Sequence, residues 1–265
     1  MAETHRIALI SDCHGNAIAL RETLRHIRER GADEVVFLGD AATLGVAPAE
    51  TIDLLQRLAC RCVMGNHDEY VLDPAVGDAH NADPMIREAI DWCREVLPEE
   101  HKAFLRGFEP GFVLPLGRRE ELMLYHGSPA SNAVDLLSDT PADELELQLG
   151  HRRAAVMAGG HTHVQMIRQH RGHWLVNPGS VGAPFLEFVN HGPPRIPARA
   201  EYATVQSRGE HVSVALHRVG LDRHALAKAA LESANPMREA LAAHYLQAGP
   251  SPGRPASLRA SSGTR

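Results

Sequence analysis

Residues 61–68 read Arg61-Cys62-Val63-Met64-Gly65-Asn66-His67-Asp68. Cys62, Val63 and Met64 make a continuous apolar run, which suits a strand buried on both faces. The run breaks at a glycine into an amide, an imidazole and a carboxylate. Taken alone, Asn-His-Asp describes many polar turns, because these side chains bond the backbone around them. Its meaning depends on the partners that the rest of the chain supplies.

Two earlier apolar runs end the same way. Ile7-Ala8-Leu9-Ile10 runs into Ser11-Asp12-Cys13-His14-Gly15-Asn16, and Val35-Val36-Phe37-Leu38 runs into Gly39-Asp40. Between them, Asn16 is placed to cap a helix with the stripe Ala17, Leu20, Leu24 and Ile27, stopping at Gly31. Pro48 suits the first turn of a second helix, with Ile52, Leu55 and Leu58 as its stripe. This β-α-β-α-β order predicts parallel strands in one sheet with right-handed crossovers. Ligands gather at the carboxyl ends of such strands, where Asp12, His14, Asp40, Asn66, His67 and Asp68 all fall.

Further along, Tyr70–Asn81 reads as a polar loop. Asp83-Pro84 opens a helix carrying Ile86, Ala89, Ile90, Cys93 and Leu97, and a short helix follows Pro98. Residues 70–109 thus read as a helical insert beside the polar edge. Phe112–Leu116 and Leu122–Tyr125 read as paired strands, the second ending in His126-Gly127. A helix from Thr140-Pro141 precedes a small strand, Ala154–Ala158, that ends in Gly159-Gly160-His161-Thr162-His163. Trp174-Leu175-Val176 leads into Asn177-Pro178-Gly179-Ser180-Val181-Gly182. Residues 182–200 read as a long irregular loop, a kind that is often functional. A hairpin at Tyr202–Gln206 and Val212–Leu216 and two helices, Asp222–Ala234 and Pro236–Gln247, complete one expected domain, residues 1–247. Residues 248–265 carry Arg254, Arg259 and Arg265, no acids and few apolar residues, and are expected to be disordered.

The chain has 265 residues, 44% hydrophobic and 23% charged, which is globular composition. Its net charge of −6 and its 5% aromatic content argue against a strong nucleic-acid-binding surface. Four cysteines, Cys13, Cys60, Cys62 and Cys93, form no C-x-x-C pair. No signal peptide or membrane-length apolar run is visible, so a cytoplasmic protein with reduced thiols is expected. Cys13, between Asp12 and His14, should point the other way, into the core. Seventeen histidines justify a search for metal ligands.

Asp12, His14, Asp40, Asn66, His126, His161 and His163 offer carboxylates, imidazoles and one amide oxygen, a donor set that suits Mn, Fe or Zn. Seven are too many for one closed site. They suit two ions about 3.5–4 Å apart sharing a carboxylate, an arrangement fitted to hydrolysis of phosphate esters.

Here the chain resembles the calcineurin-like metallophosphoesterases. The carriers are Asp12-x-His14, Gly39-Asp40, Gly65-Asn66-His67-Asp68, His126-Gly127 and Gly160-His161-Thr162-His163, in the family's order over roughly residues 7–182. The resemblance implies an α/β fold, a sandwich of two mixed sheets flanked by helices (α-β-β-α). It implies two divalent ions, Mn2+ first, with Fe, Zn, Ni or Mg as alternatives. Asp12, His14 and His163 would hold one ion, Asn66, His126 and His161 the other, and Asp40 would bridge them. A hydroxide between the ions would attack phosphorus, and His67 would act as general acid on the departing oxygen. Asn16 would lie near the phosphate as a candidate substrate contact or serve as a helix cap.

Departures from the family's branches sharpen the expectation. The protein Ser/Thr phosphatase branch follows its Gly-Asp motif with a second Asp and then an Arg, where this chain has Thr43 and Leu44. It also has Glu where this chain has Asp68. The small prokaryotic phosphodiesterase-like branch is the closer match, also in its Asn-Pro-Gly-Ser-Val-Gly run. The expected activity is therefore a phosphodiesterase on a small or nucleotide-like substrate. A phosphomonoesterase or dinucleoside polyphosphate hydrolase is the alternative, and a non-catalytic protein-binding scaffold on the same fold is the alternative of another class. The sequence leaves oligomeric state open, together with what orients His67 and whether His80 and His191 reach the pocket.

Overall fold

A computed structural model describes residues 4–80, 83–117, 119–151, 153–189 and 193–246. The expected tail at 248–265 and His191 lie outside the described residues.

The chain opens with β1 (Thr4–Ile10), α1 (Ala17–Glu29), β2 (Glu34–Phe37), α2 (Pro48–Leu58) and β3 (Arg61–Cys62). The side chain of Asn16 accepts the Ala19 amide and caps α1, while Pro48 stands at the first turn of α2. β1 pairs with β2, and β2 with β3, in parallel, as the alternation of strands and helices predicts.

The next segment corrects one expectation. The stretch read as a polar loop is helical: α3 spans Asn66–Leu72 and α4 spans Pro74–His80. Asp68 stabilises the start of α3 by accepting the Gly65 amide at 3.0 Å. Tyr70 and Val71 are buried, so tertiary burial drives a segment whose own apolar stripe is short. Two further helices follow, α5 (Pro84–Val96, capped by Asp83) and α6 (Glu99–Arg106).

The second half builds another sheet from β4 (Phe112–Leu116), β5 (Glu120–Leu124), β6 (Val156–Ala158), β7 (Met166–His170) and β8 (His173–Asn177), with α7 (Ala142–Leu149) between β5 and β6. Strand β7 carries no apolar alternation and was not expected. Its inward positions are Met166, Arg168 and His170; Arg168 donates to the Leu137 and Thr140 carbonyls, and His170 meets Glu146 Oε1 at 2.6 Å. It turns into β8 through Arg171 and Gly172, both at positive φ, the geometry of a two-residue hairpin. The chain then adds β9 (Arg199–Arg208), β10 (His211–Gly220), α8 (Arg223–Glu232) and α9 (Arg238–Leu246).

Sheet order is β10-β9-β1-β2-β3 in one sheet and β4-β5-β6-β8-β7 in the other. Alternate residues of β1 divide between two cores. Ile7 and Leu9 face the second sheet with Leu122, Leu124, Val156 and Val176. Ala8 and Ile10 face α1 and α2 with Leu20, Ile52 and Leu55. Leu145 and Leu149 of α7 cover the outer face of the second sheet. The result is the expected α-β-β-α sandwich of two mixed sheets. Cys13 is fully buried in the helical-side core, as its alternation predicts. Among the described residues, no helix is long and apolar enough to cross a membrane.

Candidate metal centre

The site lies where the carboxyl ends of β1, β2, β5 and β6 meet. Backbone bonds zip the first two loops together: the Asp12 amide donates to Gly39 O and the His14 amide to Asp40 O. Five residues here, Asp12, His14, Asp40, His161 and His163, hold φ between 43° and 69°. Asp and His tolerate this left-handed region better than most residues, though each instance is costly and needs support from the surrounding fold. The second sheet reaches the first through Gly160, where a Cβ would lie 2.0 Å from Ser11 Oγ and 2.6 Å from Asp12 Oδ2.

The structure brings all seven expected ligand residues together, with His67 beside them. Asp12, His14 and His163 form one cluster of ligand atoms, and Asp40, His126 and His161 form a second. Asn66 Oδ1 is 3.1 Å from His126 Nε2, on the second cluster. Asp40 Oδ2 lies 3.7 Å from His14 Nε2 and 3.4 Å from His126 Nε2, between the two. The carboxylates are presented alike. Asp40 Oδ1 accepts the His67 amide at 2.9 Å and Asp12 Oδ2 the His161 amide at 3.2 Å, which turns the other oxygen of each toward the histidines.

Asp12 Oδ1 is buried and has no hydrogen-bond partner. It sits 3.4 Å from His163 Nε2 and 3.9 Å from His126 Nε2. An unpartnered buried carboxylate oxygen ringed by imidazole nitrogens is a costly arrangement that a divalent cation relieves. The donor set and this orphaned oxygen fit a metal pair.

Proton distribution follows from the packing. Burial pushes the Asp12 carboxyl up, but His163 and His126 beside it outweigh that and leave it below its ordinary value. Asp40 is held well below its ordinary value by His126 and His67, against burial. Burial opposes charge on His126, yet Asp40 and Asp12 raise it to about 10. Burial and the neighbouring His163 lower His14 to about 3, and burial with His126 lowers His161 to about 4. His14 and His163 face each other through Nε2 atoms 3.0 Å apart, and His163, against burial, is shifted up by Asp12.

The surroundings hold the histidine rings. His126 Nδ1–H donates to Leu38 O at 2.6 Å and His163 Nδ1–H to Ala183 O at 2.8 Å. Such outer bonds direct the remaining nitrogen at a metal. His67 packs its ring edge-on against His14 and Tyr70, and its Nδ1 is 3.0 Å from Thr43 Oγ1. His80 stacks on Tyr70, two rings away from the centre. The side chain of Asn16 is engaged by the Ala19 amide, Gly182 O and Tyr245 Oη.

Thr43, Asp135 and Tyr70 were not singled out as site residues. Asp135 Oδ1 comes within 3.4 Å of His161 Nε2 from a loop whose sequence carries no motif. Thr43 had one signal, its place three residues after Asp40.

A two-sheet sandwich that gathers paired His/Asp clusters at one edge is the build of a metallophosphoesterase. The model of the calcineurin-like phosphoesterase superfamily domain matches residues 6–205, and the chain belongs to that superfamily. An uncharacterised protein of Methanocaldococcus jannaschii, MJ0912, is 29% identical over 194 residues, 67% of this chain and 76% of its own. A metallophosphoesterase of Sphaerobacter thermophilus has 24% identity and a TM-score of 0.66, over 92% of this chain and 98% of its own. The hypothetical protein PH1004 of Pyrococcus horikoshii OT3 has 20% identity and a TM-score of 0.68, over 84% and 91%. At these identities the two solved structures share the fold.

Proposed function

We propose that the protein is a dinuclear metal-dependent phosphodiesterase acting on a small or nucleotide-like substrate. The observation that carries this reading is the pair of His/Asp clusters joined across Asp40, with Asp12 Oδ1 left unpartnered between histidines. Asp12, His14 and His163 would hold one ion, Asn66, His126 and His161 the other, with Asp40 shared. Bound there, two divalent ions, Mn2+ in our reading, would neutralise the phosphoryl oxygens and supply hydroxide near neutral pH. The protein's own part would be to orient these ligands, and His67 would give a proton to the departing oxygen.

One feature favours a diester. The carboxylate of Asp135 stands beside His161, where it opposes the second negative charge of a monoester. We further take residues 1–247 as one cytoplasmic catalytic domain, with residues 70–109 as its helical insert.

The test is hydrolysis by Mn-loaded protein of bis(p-nitrophenyl) phosphate against p-nitrophenyl phosphate. Faster turnover of the diester is expected. Preferential cleavage of the monoester would replace this reading with a phosphomonoesterase, and no cleavage of either with stoichiometric metal bound would favour a scaffold.

A further inference from the structure

The rings of His126 and His163 have their Nδ1 protons placed by force, since each faces a carbonyl oxygen that only accepts. His14 is different. Its Nε2 faces the cluster, 3.7 Å from Asp40 Oδ2 and 3.0 Å from His163 Nε2. Its Nδ1 faces the hydroxyl of Thr43 at 3.4 Å. The same oxygen lies 3.0 Å from Nδ1 of His67. Thr43 is 1% exposed, so bulk water does not compete for its proton. A hydroxyl has one proton to give and two lone pairs to accept with. Which histidine receives that proton depends on the state of the other.

We propose that Thr43 is a positioning residue that couples metal occupancy at His14 to the tautomer of His67. The inference rests on the metal reading proposed above. A neutral imidazole that binds an ion through Nε2 carries its proton on Nδ1. His14 Nδ1–H then donates to Thr43 Oγ1. The Thr43 proton is left for the other ring and goes to His67 Nδ1. Neutral His67 accordingly keeps its own proton on Nε2, away from Thr43. Without an ion the direction is free: Thr43 can donate to His14, and His67 can hold its proton on Nδ1 and donate it to Thr43. The ring contacts with His14 and Tyr70 hold the plane of His67 in either state. The hydroxyl decides which nitrogen carries the proton. A carboxylate at position 43 could only accept, so it could not transmit the state of His14 in this way.

The test uses full-length protein with 15N-labelled histidine, Zn2+ as a diamagnetic probe, and His67→Gln to assign the His67 signals. Long-range 1H–15N spectra distinguish a protonated from an unprotonated ring nitrogen. In the Zn-loaded protein, His67 is expected to show an unprotonated Nδ1 and a protonated Nε2. Thr43→Ser should preserve this pattern, and Thr43→Val should lose it. In parallel, Thr43→Val should lower kcat on an alkyl diester about tenfold or more with little change in KM, a size usual for groups that orient catalytic or metal-binding side chains. Thr43→Ser should restore most of it. A protonated His67 Nδ1 in the loaded wild type, or an unchanged pattern in Thr43→Val, overturns the coupling while leaving the metal reading intact. Zn2+ that leaves the His14, His126 and His163 signals unmoved overturns both.

Discussion

Asp68 holds the backbone on which Asp40 stands. Its Oδ2 accepts the Asp40 amide at 2.8 Å and its Oδ1 the Ala41 amide at 2.8 Å, while Oδ2 also takes the Gly65 amide. Burial and the nearby Asp40 raise its carboxyl to about 7, with the three amides pulling the other way. One side chain therefore ties the loop after β2 to the start of α3. Asp68→Ala leaves three buried donors unmatched, each costing about 1–3 kcal/mol. Denaturant unfolding of the metal-free variant should show a loss of about 3 kcal/mol or more. Asp68→Asn keeps one acceptor oxygen and should lose less.

Gly65 is confined by Asp40 rather than by its own dihedrals. A Cβ at position 65 would lie 2.1 Å from Asp40 Oδ1 and 2.5 Å from Asp40 N. Gly65→Ala should displace that carboxylate and weaken metal binding about tenfold or more, read by calorimetric titration with Mn2+. Wild-type affinity in this variant would mean that Asp40 is not a ligand.

Metal uptake should release protons. His126, raised to about 10 in the metal-free protein, is protonated at pH 8 and must lose its proton to become a ligand. Between pH 7 and 9 the apparent affinity should therefore rise about tenfold per pH unit for each proton released. Titrations in two buffers of different ionisation enthalpy count these protons, and at least one is expected. Saturating the site at 100 times Kd should stabilise the fold by about 2.7 kcal/mol, seen as a rise in Tm.

His67 should matter in proportion to the need for a proton on the leaving oxygen. With an alkyl leaving group, His67→Ala should slow kcat about 100-fold or more, within the usual range for a placed acid. With p-nitrophenolate, which departs without protonation, the loss should be much smaller. Equal losses on both substrates would assign His67 to phosphate binding.

Each strand that carries candidate ligands could be read from its apolar run and the polar turn after it, because parallel strands put such turns on one edge. Asp12, His14, Asp40, Asn66, His126, His161 and His163 were all visible in this way. Strand β7 was not visible, since two of its three inward side chains are an arginine and a histidine satisfied by partners 24 to 31 residues away. Helices α3 and α4 were hidden for a related reason. Burial of Tyr70 and Val71 and the Asp68 bond hold α3, and α4 packs its Gly77 against Tyr70; neither has an apolar stripe of its own.

The sequence by itself determined the donor types, their order and the edge on which they stand, because these depend on local periodicity and residue chemistry. Only the tertiary structure decided how the donors are aimed. Left-handed backbone at five site residues turns carboxylates and imidazoles inward, and such conformations persist only where surrounding contacts enforce them. It also decided the partner of His67. Thr43 lies 24 residues earlier in the chain and reaches the imidazole because the β2 loop and the start of α3 are packed against each other. No local pattern encodes that distance. It follows from the sheet that places the two loops side by side.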